Sequence, residues 1–291
     1  MLLKYRLEYL FFILIGKFLS LFGYSSTKYT SQIISVLFFY ILKLRREVSQ
    51  KNISLAFPRL TKNEVKKIAY SNYQSVATTF LELFLFPKFS REEIKSHLEF
   101  SDKELIIEKL KEGKGLILLT AHFGNWELGA TAVGIHLDQK INVLAKSQSN
   151  SFIKEWLKKN REKFGNKEIL LGASVKEIFK ALANNEIVGV VGDQRGSREG
   201  VKVKYFNQET YTFAGTAAIV LKTKCPVLVL FSVRNSDGKY EAKLDEINIE
   251  DFTGTTQEQI IQFNQKYMSI LEKYVKQYPE QWFWMHNIWK Y

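Results

Sequence analysis

The sequence predicts an α/β fold with a mixed, largely parallel sheet flanked by helices, after an N-terminal membrane-associated helical segment. Three observations predict it. Strand-like apolar runs alternate with short helical patterns along most of the chain, which is typical of parallel sheets with crossover helices. The 291 residues are 46% hydrophobic, enough to bury a full core. The N-terminal stretch is rich in Phe, Leu, Ile and Tyr.

Charged residues interrupt this N-terminal stretch at Glu8, Lys17 and Lys28, and its longest charge-free run covers residues 29–42. A helix that spans a bilayer needs about 20 apolar residues. Two membrane arrangements remain open: residues 7–24 span the bilayer and tolerate Lys17, or one or two helices lie in the interface while Lys and Arg reach the headgroups. The third possibility is a buried helical hairpin in a soluble core.

We divide the chain after residue 45, because the apolar pattern changes there. Residues 1–45 form a membrane anchor or interfacial helices, and residues 46–291 form one catalytic domain. The basic residues Lys43, Arg45 and Arg46 lie at this boundary, where they would face anionic headgroups on the cytoplasmic side.

The elements of the second part follow from the spacing of apolar residues. Thr61 and Glu64 have the spacing of a capping box at the start of the first helix. Helical spacing predicts helices over residues 61–87, 102–113, 126–137, 149–165, 174–186, 216–224 and 255–279. Apolar runs predict strands over residues 115–123, 141–146, 168–172, 187–194, 226–234 and 239–247. Since strands and helices alternate, most strands should be parallel.

Polar residues follow several of these strands. In an open α/β sheet, binding sites form at the carboxyl ends of the strands. The residues at these ends are His122, Lys146, the run Asp193, Gln194 and Arg195, and Arg234. They are the candidate site residues.

His122 and Glu127 lie five residues apart, a spacing that puts them on different faces of a continuous helix. The pair can work together only if His122 precedes the helix. Gly124 permits an unusual backbone there and Asn125 is a good helix cap. Glu127 could then hold one imidazole nitrogen and leave the other free to accept a proton. The spacing fits a structural histidine beside an N-terminal glutamate equally well.

No nucleophilic side chain accompanies this pair in the sequence. There is no G-x-S-x-G stretch, and Cys225 precedes a proline within an apolar run. The attacking group is therefore a hydroxyl of the substrate. The four histidines are scattered and form no zinc pattern with cysteine, so we expect no metal and no cofactor.

The net charge of +12 indicates an anionic partner. No nucleic-acid-binding module is present in the sequence, so we expect no nucleic acid. The apolar N-terminus favours a membrane surface instead.

The stretch A-H-F-G-N-W-E at residues 121–127 resembles the H-x4-(D/E) motif of acyltransferases. The closer resemblance is to the late, or secondary, lipid A biosynthesis acyltransferases of Gram-negative bacteria. Further stretches resemble that family in the same order: K-N-I-S-L-A-F-P at 51–58, Asp193-Gln194, residues 205–231, and the W-x-H pattern near the end. Lys146 stands where the family usually has arginine, and Y-F-N replaces its F-F-G.

The resemblance implies a glycerolipid acyltransferase-like fold and transfer of a fatty acyl chain. The donor is an acyl carrier protein thioester, and the acceptor is a hydroxyl of a lipid A precursor. His122 is the implied general base and Glu127 its orienting partner. The implied location is the inner membrane, with residues 46–291 as the acyltransferase domain on the cytoplasmic face.

The remaining candidates are substrate-binding residues in this reading. Backbone amides near Gly124, or the side chain of Lys146, could bind the oxyanion. Asp193 and Arg195 would line the pocket, with Asp193 holding a cation or an acceptor hydroxyl; Asn125 and Gln194 belong to the same group. Lysine keeps the charge of arginine but loses its forked geometry.

Two alternatives remain. The same chemistry could act on another acceptor, such as an amino-acid lipid, a polyene lipid or a lysophospholipid, which the lysine at position 146 keeps open. The chain could also be a non-catalytic lipid-binding protein with this fold.

Overall fold

The sheet at the centre of the molecule is built largely from the strands that the apolar runs predict. The structure, a computed structural model, describes residues 2–172 and 175–290. The strands in this part of the chain are β1 (Leu98–Glu99), β2 (Leu116–Thr120), β3 (Ile141–Ala145), β4 (Lys167–Leu170), β5 (Ile187–Val191), β6 (Val201–Tyr205), β7 (Gln208–Thr212), β8 (Val227–Arg234) and β9 (Tyr240–Glu246).

Seven of these strands form one mixed, largely parallel sheet in the order β1-β9-β8-β2-β5-β3-β4. Every neighbouring pair is parallel except β8 and β9, which are antiparallel. The predicted fold class is confirmed. The carboxyl ends of β8, β2, β5, β3 and β4 therefore lie along one edge, where the polar candidate residues begin.

The helices cover the sheet and form the N-terminal region. They are α1 (Leu2–Ser20), α2 (Thr27–Val36), α3 (Arg46–Ala56), α4 (Lys62–Leu85), α5 (Arg91–His97), α6 (Lys103–Leu110), α7 (Trp126–Leu137), α8 (Ser151–Glu162), α9 (Val175–Ala183), α10 (Gly215–Thr223) and α11 (Thr256–Gln277). The predicted capping box is confirmed: Thr61 accepts from the Glu64 amide, and the Glu64 carboxylate accepts from the Thr61 amide. Residue 174 of the predicted helix 174–186 lies outside the described residues.

The sequence patterns missed helices α3 and α5, the short strand β1 and a β-hairpin. β6 and β7 form an antiparallel hairpin joined by Phe206 and Asn207. Both turn residues have positive φ, 50° and 60°, as a type I′ turn requires. Their alternating sequences, V-K-V-K-Y and Q-E-T-Y-T, carried the signal of a half-buried hairpin.

Both faces of the sheet are buried, which is why its strands read as unbroken apolar runs. Along β8, Val229 and Phe231 point into a core that contains α11 and the C-terminal residues. Leu228 and Leu230, which alternate with them, point into a second core that contains α5, α6 and α7.

The N-terminal helix α1 packs against helices α4 and α8, which lie after residue 45. The ring of Phe12 lies 4.9 Å from Phe84 of α4 and 5.2 Å from Trp156 of α8, centroid to centroid. Tyr9 stacks on Phe152 at 5.7 Å. The division of the chain after residue 45 stays a prediction. These aromatic contacts join α1, which lies before the division, to α4 and α8, which lie after it.

The other face of α1 is apolar and exposed. Leu7, Phe11, Leu14 and Phe18 are 58%, 69%, 65% and 59% exposed. Among the described residues, no single helix has both the length and the hydropathy to cross a membrane. Leu2–Ser20 and Tyr24–Ile41 satisfy these criteria together, as a pair bent by 93°.

Candidate active site

His122 lies in the turn between β2 and α7. At Gly124 the turn adopts φ +55°, a conformation that favours glycine. A Cβ atom there would lie 1.8 Å from the carbonyl oxygen of Ser232 on β8. The Gly124 amide donates to the Gln281 carbonyl at 2.9 Å, and its carbonyl accepts from the Thr79 hydroxyl at 2.8 Å. The turn is therefore held from three sides.

Strand register brings Asp193 to His122. Thr120 on β2 pairs with Val191 on β5, so the residues two positions further on come side by side. Nδ1 of His122 lies 2.7 Å from Oδ1 of Asp193, and Oδ2 accepts from the His122 backbone amide at 3.0 Å. The indole N–H of Trp282 also donates to Oδ2, at 2.9 Å. Since a carboxylate only accepts, Nδ1 carries the ring proton.

One sequence prediction is corrected by this geometry: Glu127 does not orient the ring of His122, because Asp193 occupies the Nδ1 side. Protein donors hydrogen-bond both oxygens of Asp193, which is only 4% exposed. The contact of Asp193 with a cation or an acceptor hydroxyl stays a prediction. The partner of the histidine lies 71 positions along the chain; the sequence placed Asp193 at the same edge of the sheet but did not pair it with His122.

The His122–Asp193 pair favours its charged form. Burial opposes the imidazolium, but the charge of Asp193 and its hydrogen bond outweigh burial, so the pKa of His122 is raised above its usual value. Burial also opposes the Asp193 carboxylate, yet His122 and the indole donor hold the pKa of Asp193 below its usual value. The side chain of His122 remains 22% exposed, so a substrate can reach it.

Glu127 is held by Arg161 of α8 rather than by the histidine. Nε and Nη2 of Arg161 donate to its two oxygens at 2.9 and 2.6 Å, and Nη1 donates to Glu168 at 2.5 Å. Burial disfavours the guanidinium, but the two carboxylates outweigh it and raise the pKa of Arg161. Nothing in the sequence singles out Arg161, because it lies among several basic residues on one helix.

A buried ion pair between Glu82 and Arg234 supports the turn that carries His122. Glu82 of α4, which is fully buried, accepts from Tyr240 and from Nδ2 of Asn125 at 2.8 Å. Arg234, at the end of β8, lies 3.4 Å from the same Glu82 oxygen and donates to the Thr79 hydroxyl at 3.0 Å. Thr79 in turn holds the Gly124 turn. Arg234 was singled out by its position at a strand end, whereas Glu82 was read as part of a core helix.

Asn125 is only 1% exposed, and its side chain is fully engaged. Its oxygen accepts from the Leu128 amide at 2.9 Å, so it caps α7 as predicted. Its amide nitrogen bonds Glu82. Asn125 therefore acts on the site through the shape of the turn.

The other predicted residues lie along the same edge of the sheet. Lys146 and Gln194 are exposed directly after β3 and β5. The Arg195 backbone amide donates to Nε2 of His286 at 3.0 Å, which brings the C-terminal residues to this edge. In the described part of the chain, no hydrogen bond or ion pair joins Lys146 to His122.

A small cavity of about 40 Å³ lies beside Glu127 and Arg161. Apolar side chains of α4, α5, α7 and α8 form most of its wall. Its lining includes Leu83, Phe86, Ile94, Leu128, Leu157 and Phe164. The ion pair is thus part of the wall of a largely apolar space.

A histidine whose Nδ1 is held by a buried carboxylate can accept a proton at Nε2, which is what a general base requires. Among residues 2–172 and 175–290, no group of three or more His, Cys, Asp or Glu side chains could hold a metal ion. Fold and site together define an α/β protein whose His122–Asp193 pair is arranged as a candidate general base.

The chain belongs to the bacterial lipid A biosynthesis acyltransferase family, which it matches over residues 2–291. It is similar to the lipid A biosynthesis palmitoleoyltransferase of Escherichia coli K12, with 23% identity over 86% of this chain and 80% of that protein. It is similar to the lauroyltransferase of the same organism, with 24% identity over the same shares. It also resembles the phosphatidylinositol mannoside acyltransferase of Mycolicibacterium smegmatis, at 22% over 56% and 55%.

Proposed function

We propose that this protein transfers a fatty acyl chain from an acyl carrier protein thioester to a hydroxyl of a lipid A precursor, with His122 as general base. The observation that carries the mechanism is the 2.7 Å contact between Nδ1 of His122 and Asp193. The relatives named as lipid A acyltransferases support the acceptor. The net charge of +12 suits an acidic carrier protein and a phosphorylated acceptor.

In the proposed step, Nε2 of His122 removes the proton from the acceptor hydroxyl as its oxygen attacks the thioester carbonyl. Asp193 holds Nδ1–H and stabilises the imidazolium that forms. Collapse of the tetrahedral intermediate breaks the C–S bond, and the imidazolium returns the proton to the thiolate. An ester and a free thiol result, and no other reactant is needed.

Glu127 has a different role in this proposal from that of a ring-orienting partner. Its charge also favours the imidazolium, although less than that of Asp193. Through its two hydrogen bonds it holds Arg161 at the cavity. We assign the oxyanion contact to backbone amides near Gly124 or to Lys146, and acceptor contacts to Gln194 and Arg195.

We further propose that the protein acts at the inner membrane, with its catalytic part on the cytoplasmic face. The exposed apolar face of α1 supports contact with lipid. Membership of the lipid A acyltransferase family and the basic residues near position 45 support the same location of the protein.

The test is an acyl-transfer assay on membranes that contain wild type or His122→Ala, with labelled acyl carrier protein thioester and an under-acylated lipid A precursor. Mass spectrometry should find one added acyl mass with wild type and none above background with the variant. The control is His136→Gln, which removes a histidine from α7 that bonds the Leu98 carbonyl instead of the site. It should retain activity.

Donor and acceptor are tested separately in the same assay. Acyl-coenzyme A in place of the carrier protein thioester should give much slower transfer, and equal rates would contradict the proposed donor. If no donor supports transfer by an intact wild-type protein, the chain is instead a non-catalytic lipid-binding protein.

A second acceptor class has its own support. One similar protein is named a phosphatidylinositol mannoside acyltransferase, and this name gives a lipid acceptor other than lipid A. In addition, Lys146 stands where the family pattern has arginine. Transfer to endogenous lipids but not to the lipid A precursor would favour this alternative. The proposed role of His122 would be unchanged.

A further inference from the structure

The C-terminal residues 278–288, here called the strap, run along the His122 turn. Phe123 and Trp282 form an antiparallel β-bridge, and the Phe283 amide donates to the His122 carbonyl at 3.0 Å. The turn that carries the histidine is therefore paired with the strap as a short ladder. In the sequence this stretch stood out only for its W-x-H pattern, and the pairing was not predicted.

Two buried asparagines hold the strap in place. Nδ2 of Asn52 on α3 donates to the carbonyls of Trp284 and His286, at 2.9 and 2.6 Å. Nδ2 of Asn72 on α4 donates to the carbonyl of Trp282 at 2.5 Å. Asn52 belongs to the K-N-I-S-L-A-F-P stretch at residues 51–58. That stretch therefore holds the strap through hydrogen bonds, although it lies far from it in sequence.

The strap also reaches the catalytic carboxylate. Trp282 is 1% exposed, and its indole N–H meets Oδ2 of Asp193 while Oδ1 faces Nδ1 of His122. A carboxyl group turns easily about its last bond, since that torsion has broad minima. Two donors on Oδ2, the indole and the His122 amide, restrict this rotation.

We propose that Trp282 is a positioning residue: its N–H fixes the rotation of the Asp193 carboxylate so that Oδ1 faces Nδ1 of His122. The inference rests on the proposed general-base function of His122. It gives the strap a role in the reaction without contact with substrate. Packing alone would require the indole ring but not its N–H, and this difference can be tested.

Other titratable groups near the pair must be considered, because the test reads a pH profile. Each interacts electrostatically with His122 or Asp193. They are Glu127 of α7, Tyr205 of β6, Tyr267 of α11 and His286 of the strap. Replacing the indole of Trp282 leaves all of them in place, so a changed profile reports on the pair itself.

The test compares Trp282→Phe with wild type in the full chain, using the donor and acceptor that wild type turns over. We expect kcat to fall roughly 10-fold and KM to change less than about twofold, because a hydrogen bond to a charged group is lost away from the substrate. The acid limb of kcat/KM should move to lower pH. Without the indole N–H the Asp193 carboxylate rotates away from Nδ1 of His122, so it stabilises the imidazolium less and the pKa of His122 falls.

The matched control is Trp284→Phe. Trp284 lies in the same strap and is fully buried, but its indole donates to the Pro279 carbonyl at 2.5 Å. This variant should lower thermal stability by a similar amount and leave the acid limb unchanged. If the two variants lose activity equally and neither limb moves, Trp282 only packs and the inference is overturned.

A second readout separates this inference from the proposed function. NMR titration of the His122 ring gives its pKa without turnover, and Trp282→Phe should lower that pKa. An unchanged pKa would overturn the inference even in a protein with no measurable acyl transfer. If Trp282→Phe does not fold, β-(3-benzothienyl)alanine in place of Trp282 removes the N–H with little change in shape.

Discussion

At His122, burial and a neighbouring charge act in opposite directions. The charge of Asp193 outweighs burial, so the pKa of His122 is raised and that of Asp193 is lowered. In the unfolded chain the pKa of His122 is about 6.5, and below this pH its whole contribution to folding stability is present. The contribution is lost as pH rises through the higher pKa that His122 has in the folded protein. The Asp193 contribution is present above about 3.9 and is lost as pH falls through its lowered folded pKa.

The same shift predicts the pH dependence of catalysis. A general base must be neutral, so the acid limb of wild-type kcat/KM should lie above about pH 6.5. Asp193→Asn should move this limb to lower pH and reduce kcat roughly 10³- to 10⁴-fold, because the imidazolium loses its stabilising charge. Rates measured across the pH range with saturating donor check both effects.

Glu127→Gln is the comparison for this prediction. Because Glu127 bonds Arg161 and not the ring of His122, its loss should reduce kcat less than Asp193→Asn does. A larger loss from Glu127→Gln would restore Glu127 as the main partner of the base.

At the scale of elements, the site depends on how β2 turns into α7. The turn needs left-handed backbone at Gly124, a cap at Asn125 and a support from the Glu82–Arg234 pair. Such a buried ion pair is costly to break, because removal of one partner leaves an uncompensated charge. The turn is therefore rigid, which suits a base that must stay in one orientation.

Gly124→Ala should destabilise the protein by at least ~2 kcal/mol, because the added Cβ is strained at this φ and would meet the backbone of Ser232. Thermal unfolding in detergent checks this, and activity should fall with it. Gly113 also has positive φ, 72°, but its Cβ would meet nothing within 4 Å. Gly113→Ala should cost only ~1 kcal/mol, and an equal cost for both would contradict the proposed contact.

At the scale of the whole molecule, the N-terminal helices join an apolar surface to the catalytic part. One face of α1 packs on α4 and α8 through aromatic rings, while the other is exposed. The net charge of +12 adds attraction to anionic lipid. The enzyme would thus meet its lipid acceptor at the surface where that lipid resides.

Replacement of Phe11, Leu14 and Phe18 by glutamine should weaken binding to anionic vesicles at least roughly 10-fold, because buried apolar area is lost from the interface. Vesicle sedimentation measures this, and added salt should weaken binding further. The control replaces two exposed apolar residues outside the N-terminal helices, Ile107 and Leu171. Equal binding by the triple variant and wild type would show that this face does not meet the membrane.

The sequence by itself determined most helices and sheet strands and the edge on which the candidate site lies. The helix predicted over 126–137 is observed as Trp126–Leu137, and the capping box at Thr61 forms as predicted. Such features depend on residues within one or two turns of each other, so periodicity and caps are sufficient. The candidate residues at strand ends followed from the parallel sheet, whose carboxyl ends share one edge.

Only the tertiary structure decided which groups meet at that edge. Asp193 reaches His122 through the register of β2 and β5, and Trp282 reaches Asp193 from 89 positions further along the chain. Arg161 takes Glu127 because α8 packs beside the start of α7. No local pattern encodes these pairings, because they depend on how distant elements align. The sequence therefore identified His122 as the candidate base, and the fold selected the carboxylate that hydrogen-bonds it.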